Sequence, residues 1–261
     1  FADKYFGYSP YGYAASNPIA FIDINGDSLW INTGSRNLLY QDGKLYNKRG
    51  KEVKKGLTGR GGGNSFVGRA VRALGSLSET EEGGSVINTL QSSKFHYTIT
   101  QYSGDNRFAP GEEGTNADGQ KYRNNAEAIP LMNGAEGVGI PGFAFNNVGS
   151  GGLILWDPSM AGLGSNDGAY GSTLNLIHEM RHAADASTGQ LDGSVINYDG
   201  IVSWRREIRA VYTENMVRQQ RGMNSIRGSY GGTSMLKNGN PVNAPLPELN
   251  RNLQQLLYHD N

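Results

Sequence analysis

The chain has 261 residues, room for one large domain or for one domain with a smaller appendage. Its 24 Lys+Arg balance 24 Asp+Glu, which argues against a dedicated nucleic-acid binder, and its 38 Gly follow no three-residue period, which excludes a collagen-like chain. Without Cys there is no disulfide, thiolate metal site or cysteine nucleophile, and the longest apolar runs, such as Leu153-Ile154-Leu155-Trp156, are too short to span a bilayer.

Residues 1–28 stand apart. Tyr5, Tyr8, Tyr11 and Tyr13 sit among small residues and Pro10, and the turn signals Asn17-Pro18 and Asn25-Gly26 bracket a short apolar strand at Phe21-Ile22. On physical grounds this is an aromatic-rich β meander docked on a larger body. Because the chain opens on Phe1 with no Met or signal peptide, it reads as a fragment of something longer. Residues 36–55 predict a hairpin about Asp42-Gly43. The seven basic residues from Lys44 to Arg60, against the single acid Glu52, form a solvated face or linker, with a phosphate- or membrane-surface patch as the alternative. Residues 56–63 are Gly-rich and read as a flexible joint. Helices are predicted over 66–77 and 85–91, a strand over 95–102 and a polar loop over 103–123. Strands follow at 139–145 and 152–156, the latter closed by Asp157-Pro158. A helix runs from 172 to 186, with Ser172 as its cap and Gly189 just past its end. Another covers 203–221, and a last short one lies near 249–258.

The decisive segment is His178-Glu179-Met180-Arg181-His182, an H-E-x-x-H in a chain with only four His. On a helical wheel begun at Leu174, the two imidazoles fall near 40° and 80° and Glu179 near 140°, while Leu176, Ile177, Met180, Ala183 and Ala184 occupy roughly 180–300°. One face is therefore metal-binding and the opposite face is core. Two imidazoles one turn apart can share one zinc ion, and the adjacent Glu can reach a water bound to it.

A catalytic zinc wants a third protein ligand and one open position. The longer pattern H-E-x-x-H-x-x-G-x-x-H fails, since position 185 is Asp and position 188 is Thr. The best third ligand is Glu207 on the next helix, separated from His182 by 24 residues, enough for a loop and a returning helix. Ala210 on the same face leaves room for close approach. Glu214, two turns further on, is read as an acceptor behind a ligand or as the i+4 partner of Arg218. Asp185, Asp192 and Asp199 are the fallback ligands.

Two resemblances attach to these residues. Tyr8-Ser9-Pro10-Tyr11-Gly12-Tyr13, Asn17-Pro18-Ile19 and Phe21-Ile22-Asp23-Ile24-Asn25-Gly26 resemble the closing pattern of the RHS/YD-repeat-associated core, after which a variable C-terminal toxin begins. That resemblance implies a chain secreted or delivered into a target cell, with the RHS cage of the parent polypeptide and an immunity protein as partners. Separately, Ile154-Leu155-Trp156-Asp157-Pro158, the H-E-x-x-H, Glu207…Ala210-Val211…Glu214-Asn215…Arg218 and Arg227-Gly228-Ser229-Tyr230-Gly231 resemble the NleD-type effector zinc metallopeptidases. Carried over by position, His178, His182 and Glu207 would bind Zn2+, Glu179 would be the base, and Tyr230 a donor to the oxyanion. The alternative for Tyr230 is a packed or surface residue in a Gly-rich turn.

Together these readings give an α+β chain: a zincin-like, gluzincin-type metallopeptidase with a small sheet and an active-site helix over 64–261, after a hairpin and linker over 29–63 and a β-rich RHS-core end over 1–28. The expected activity is zinc-dependent endopeptidase action on a protein of the target cell, with zinc-bound water activated by Glu179 and no nucleic acid or membrane span involved. Residues 152–156 would be an edge strand pairing with extended substrate, the small residues at 149–152 letting a second backbone come close. The alternative is a non-enzymatic RHS-anchored binding or structural module whose metal is structural or vestigial.

Overall fold

The computed structural model describes residues 28–53, 64–110, 149–163, 167–191, 195–198, 201–224, 227–230 and 233–234. The expected β meander of 1–28 (all but its last residue), the Gly-rich joint, the strand at 139–145, the helix near 249–258 and the fallback ligands Asp192 and Asp199 lie outside these residues.

The chain opens with β1 (Ser28–Asn32), β2 (Asn37–Gln41) and β3 (Lys44–Tyr46). Asp42 and Gly43 both take positive φ, 50° and 76°, so the Asp-Gly pair makes the tight turn that joins β2 to β3 as a hairpin. Next come α1 (Phe66–Ser78), α2 (Glu81–Gln91), β4 (His96–Gln101), β5 (Arg107–Pro110) and β6 (Gly152–Trp156). The six strands form one sheet in the order β3-β2-β1-β4-β6-β5, with β1, β4 and β6 parallel and β2 and β5 antiparallel to their neighbours. A single 3-10 turn at Gly168–Tyr170 leads into α3 (Gly171–Ser187). The hairpin of β7 (Val195–Tyr198) and β8 (Ile201–Trp204) then delivers α4 (Arg205–Gln220), and β9 (Ser229–Tyr230) pairs with β10 (Thr233–Ser234).

One core lies between the sheet and the helices. Leu29, Ile31, Ile99, Ile154 and Trp156 from the strands meet Phe66, Leu74, Leu77, Leu90, Ile177 and Met180 from the helices. The Phe66 and Trp156 rings are tilted at 5.8 Å, and Trp156 Nε1 donates to the Ser172 carbonyl at 2.8 Å, tying the end of β6 to the first turn of α3. Central β4 and β6 are buried on both faces, as parallel strands in a sheet interior are. For this reason the alternation expected over 95–102 breaks at Thr98, which is buried beside Tyr97 and Ile99.

Several expectations change against this architecture. The segment 29–63 is expected as a hairpin and linker ahead of the body beginning at 64, yet Leu29, Ile31, Leu38, Tyr40 and Leu45 belong to the same core as α1–α3, and β1 pairs directly with β4. Strand β6 is not an edge: β4 and β5 flank it, and β5 occupies the edge among the described residues. Its small residues serve those neighbours instead, since a Cβ on Gly151 would fall on the His96 carbonyl oxygen and one on Gly152 on that of Ala109. The loop expected over 103–123 contains β5. Helix α2 starts at Glu81 rather than 85, because Thr80 caps it by accepting from Gly83 N–H at 3.1 Å, and only Gly at 83 clears the Leu77 carbonyl. Ser172 does not cap α3, which begins one residue earlier out of the 3-10 turn with no side-chain cap. At its other end, Gly189 (φ 70°) bonds back to Ala186 and Gln190 bonds back to Asp185, a Schellman closure.

Candidate metal centre

Helix α3 lies between the sheet and α4 and is buried on nearly all sides, with Arg181 among its few partly exposed residues. Its polar face is thus as enclosed as its apolar one, being covered by α4 rather than by solvent. The β7–β8 hairpin turns the chain back so that Glu207, in the first turn of α4, faces His178 and His182.

The three predicted ligands come together in a tight triangle. His178 Nε2 and His182 Nε2 are 3.2 Å apart, and Glu207 Oε2 lies 3.1 Å from the first and 3.2 Å from the second. All three residues are buried, at 4%, 6% and 4% exposure. Ligands about 2.0–2.1 Å from a tetrahedral ion stand roughly 3.3 Å from one another, so the spacing and the N,N,O donor set fit a zinc-type ion. Among the described residues this is the one His/Cys/Asp/Glu group close enough to hold a metal.

Two of the three ligands are held from behind, each in a different way. Glu207 Oε1 accepts from Arg206 Nε at 3.0 Å, and that guanidinium rests on the Trp204 ring at 4.7 Å. His178 Nδ1 donates to Glu214 Oε1 at 2.6 Å, the role sequence reading allowed for Glu214. His182 Nδ1 is buried without a partner among the described residues. Glu214 also accepts from Arg218 Nη1 at 3.1 Å and from Arg227, so both parts of the sequence expectation for it apply together. Asp185, a fallback ligand, is engaged elsewhere, pairing with Arg181 and, at 3.0 Å, with Arg209.

The electrostatics follow from burial and charge. Burial favours the neutral form of His178, but hydrogen bonds to Glu207 and Glu214 outweigh it and raise the imidazole to about 9. Burial pushes Glu207 up, and the charges of His182 and His178 bring it well below the usual carboxylate range. Glu214 is likewise pushed up by burial, then brought down to about 2 by the Arg227 and Arg218 guanidiniums. Glu179, next to the first ligand and 7% exposed, stays raised: burial dominates and the histidine charges only partly offset it.

Tyr230 is half-buried, its ring parallel to that of His178 (3° between planes, centroids 5.9 Å apart). Burial raises its phenol, and so do the carboxylate charges of Glu207 and Glu179 and a hydrogen bond with Glu207, so it remains a proton donor. Sequence reasoning missed Arg206 and Asp167 altogether, gave Arg227 and Asn215 no partners at the centre, and paired Arg218 with Glu214 alone. The Arg206 signal was adjacency to Glu207; Asp167 carried none, since it meets Arg218 from 51 residues away.

Fold and site together define a mixed α/β protein, a six-stranded sheet with four α-helices among the described residues, built around a buried His-His-Glu group able to hold a metal ion. The Peptidase_M91 family model, described as effector protein, matches residues 55–230, and the chain belongs to that family of effector peptidases. Its reaction class is therefore peptide-bond hydrolysis, and its substrate is protein. No curated protein and no solved structure matches the chain. Among the described residues no helix is long and apolar enough to cross a membrane.

Proposed function

We propose that the chain is a zincin-like, zinc-dependent endopeptidase, carried as the toxic tip of an RHS polypeptide and delivered into a target cell, where it cuts a protein. The observation that carries this reading is the His178–His182–Glu207 triangle, with Glu179 next to its first ligand on a chain of peptidase family. His178, His182 and Glu207 would hold the ion. When bound, zinc supplies Lewis-acid polarisation and brings the pKa of a water toward neutrality. Glu179 accepts the proton of the attacking water and returns it to the departing amine nitrogen, so its charge is restored within one turnover. Burial raises its pKa, which makes its carboxylate a stronger base toward the attacking water. Tyr230 donates its hydroxyl hydrogen to the carbonyl oxygen as that oxygen gains charge. The RHS cage and an immunity protein as partners rest on the closing pattern of Tyr8–Gly26 alone.

Glu179→Gln tests the reading, since it keeps size and removes the base. Zinc should stay near one per chain by elemental analysis. Proteolysis, followed as new peptide N-termini in a target-cell lysate, should fall by about 10²–10⁴-fold. A variant that cuts as well as the parent sinks Glu179 as the base, and a parent that binds zinc yet cuts nothing leaves a metal-bearing binding module in its place.

A further inference from the structure

Behind the centre, α4 carries three polar residues on one buried stripe: Glu214, Asn215 and Arg218, each 0% exposed. Glu214 holds the His178 ring. Asn215 grips the backbone of Arg227 twice: its Nδ2 donates to the Arg227 carbonyl at 2.9 Å and its Oδ1 accepts from the Arg227 N–H at 3.0 Å. That grip fixes the strand that lays Tyr230 flat on His178 three residues later, and the Arg227 guanidinium sits 5.1 Å from the Tyr230 ring centre.

Arg218 joins the two holds. Its Nη1 donates to Glu214 Oε2 and to Asn215 Oδ1, both at 3.1 Å. The rest of its fork is taken by Asp167, Nε to Oδ1 at 2.9 Å and Nη2 to Oδ2 at 2.8 Å. Asp167 is itself immobilised: a Cβ on Gly162 would collide with Asp167 and with Gly171, so the loop, the carboxylate and the start of α3 close on one another. A guanidinium with a planar fork can hold these three side chains in one geometry, and an ammonium cannot.

We propose that Arg218, anchored by Asp167, is a positioning residue that sets two things at once: the orientation of His178 through Glu214, and the seat of Tyr230 over His178 through Asn215. The Tyr230 half rests on the peptidase reading above; the His178 half does not. A buried arginine that merely fills the core would share its loss across the whole molecule. One that positions the centre gives separable losses along its two branches.

The experiment uses the full chain, with zinc affinity measured by competition against a fluorescent chelator well below each variant's melting temperature, alongside kcat and KM. Arg218→Lys, which keeps the charge and loses the fork, should weaken zinc binding by about tenfold or more and lower kcat as well. Asp167→Asn, which leaves Arg218 in place, should weaken zinc about threefold to tenfold and covers the case in which Arg218→Lys does not fold. Asn215→Asp keeps size but opposes an oxygen to the Arg227 carbonyl. It should lower kcat about tenfold or more with KM little changed, and weaken zinc binding less than Arg218→Lys does, since Arg227 also donates to Glu214. Arg221→Gln, one turn on and paired at 3.2 Å with exposed Glu79, is the control for loosening of α4 and should leave zinc affinity unmoved. Zinc binding in Arg218→Lys or Asp167→Asn equal to the parent's, or a loss matched by Arg221→Gln, overturns the positioning of His178 whatever Glu179 does. A kcat preserved in Asn215→Asp overturns the seat of Tyr230.

Discussion

Glu214 is the acid on which the buried charges behind the centre converge, and its replacement by Gln has a cost that two routes give independently. It is 0% exposed and accepts from His178, Arg218 and Arg227. Burial opposes its charge, yet the guanidiniums carry its pKa from the ordinary 4.5 down to about 2. That depression is equivalent to about 3 kcal/mol of stability at pH 7. Leaving two buried guanidiniums short of their carboxylate costs about 3–5 kcal/mol, in agreement. A depressed folded-state pKa gives stability that is complete above about 4.5 and lost as pH falls toward 2. The parent therefore loses this contribution with acid, while the neutral Gln variant has none to lose. Urea unfolding of parent and Glu214→Gln, with a chelator throughout so that metal retention does not enter, should show a gap of about 3 kcal/mol at pH 7, shrinking to about 1.5 kcal/mol at pH 3. A gap under about 1 kcal/mol at pH 7, or one as wide at pH 3 as at pH 7, would refute the reasoning.

Three further outcomes follow from the same geometry. Tyr230→Phe keeps the ring stacked on His178 and removes the donor, so zinc content should hold while kcat falls about 10²-fold in a stopped assay. Because His178 is raised to about 9 and must give up its proton to a metal, zinc affinity should climb about tenfold per pH unit from that group between pH 6 and 8; a flat profile in chelator-buffered titrations would count against it. Deleting residues 28–60 removes β1–β3 with five buried core side chains worth about 1.5–3 kcal/mol each, comparable to a whole domain's stability, so that truncation should not fold; removing 1–27 alone should leave zinc binding and cooperative unfolding intact by circular dichroism.

What the sequence made legible was what is local in the chain. The H-E-x-x-H spacing is a property of one helix turn, so His178, Glu179 and His182 could be placed on α3 from residue order alone. Glu207 was reachable because a two-strand hairpin and one helix turn are the shortest way back, and Val195-Ile196 and Ile201-Val202 about Asp199-Gly200 carried the hairpin signal, although only a connecting loop was expected there. The Asp42-Gly43 turn was legible for the same reason, its φ values being a property of those two residues. Helix α2 reaches back to Glu81 although Gly83-Gly84 lowers helix propensity, because the close approach of the Leu77 carbonyl makes Gly83 obligatory.

Nothing local, by contrast, says that β1 pairs in parallel with β4, some 68 residues away, or that β5 closes the edge beside β6. Parallel pairing is decided by which faces are covered, and Leu29-Trp30-Ile31 is too short a run for its period to be read. The centre divides along the same line. Its ligands sit on helices whose spacing the sequence displays, while the charges behind them, Asp167 on Arg218 and Arg227 on Glu214, meet across turns and between elements. An arginine in a sequence reads as a solvated surface charge; what makes Arg218 otherwise is that it is wholly buried with its fork filled by Asp167, Glu214 and Asn215, and burial is a property of the finished fold. The ligand set could therefore be named before the fold was known, whereas the geometry that orients His178 and seats Tyr230 over it exists only once α3, α4 and the strand at Ser229–Tyr230 have come together.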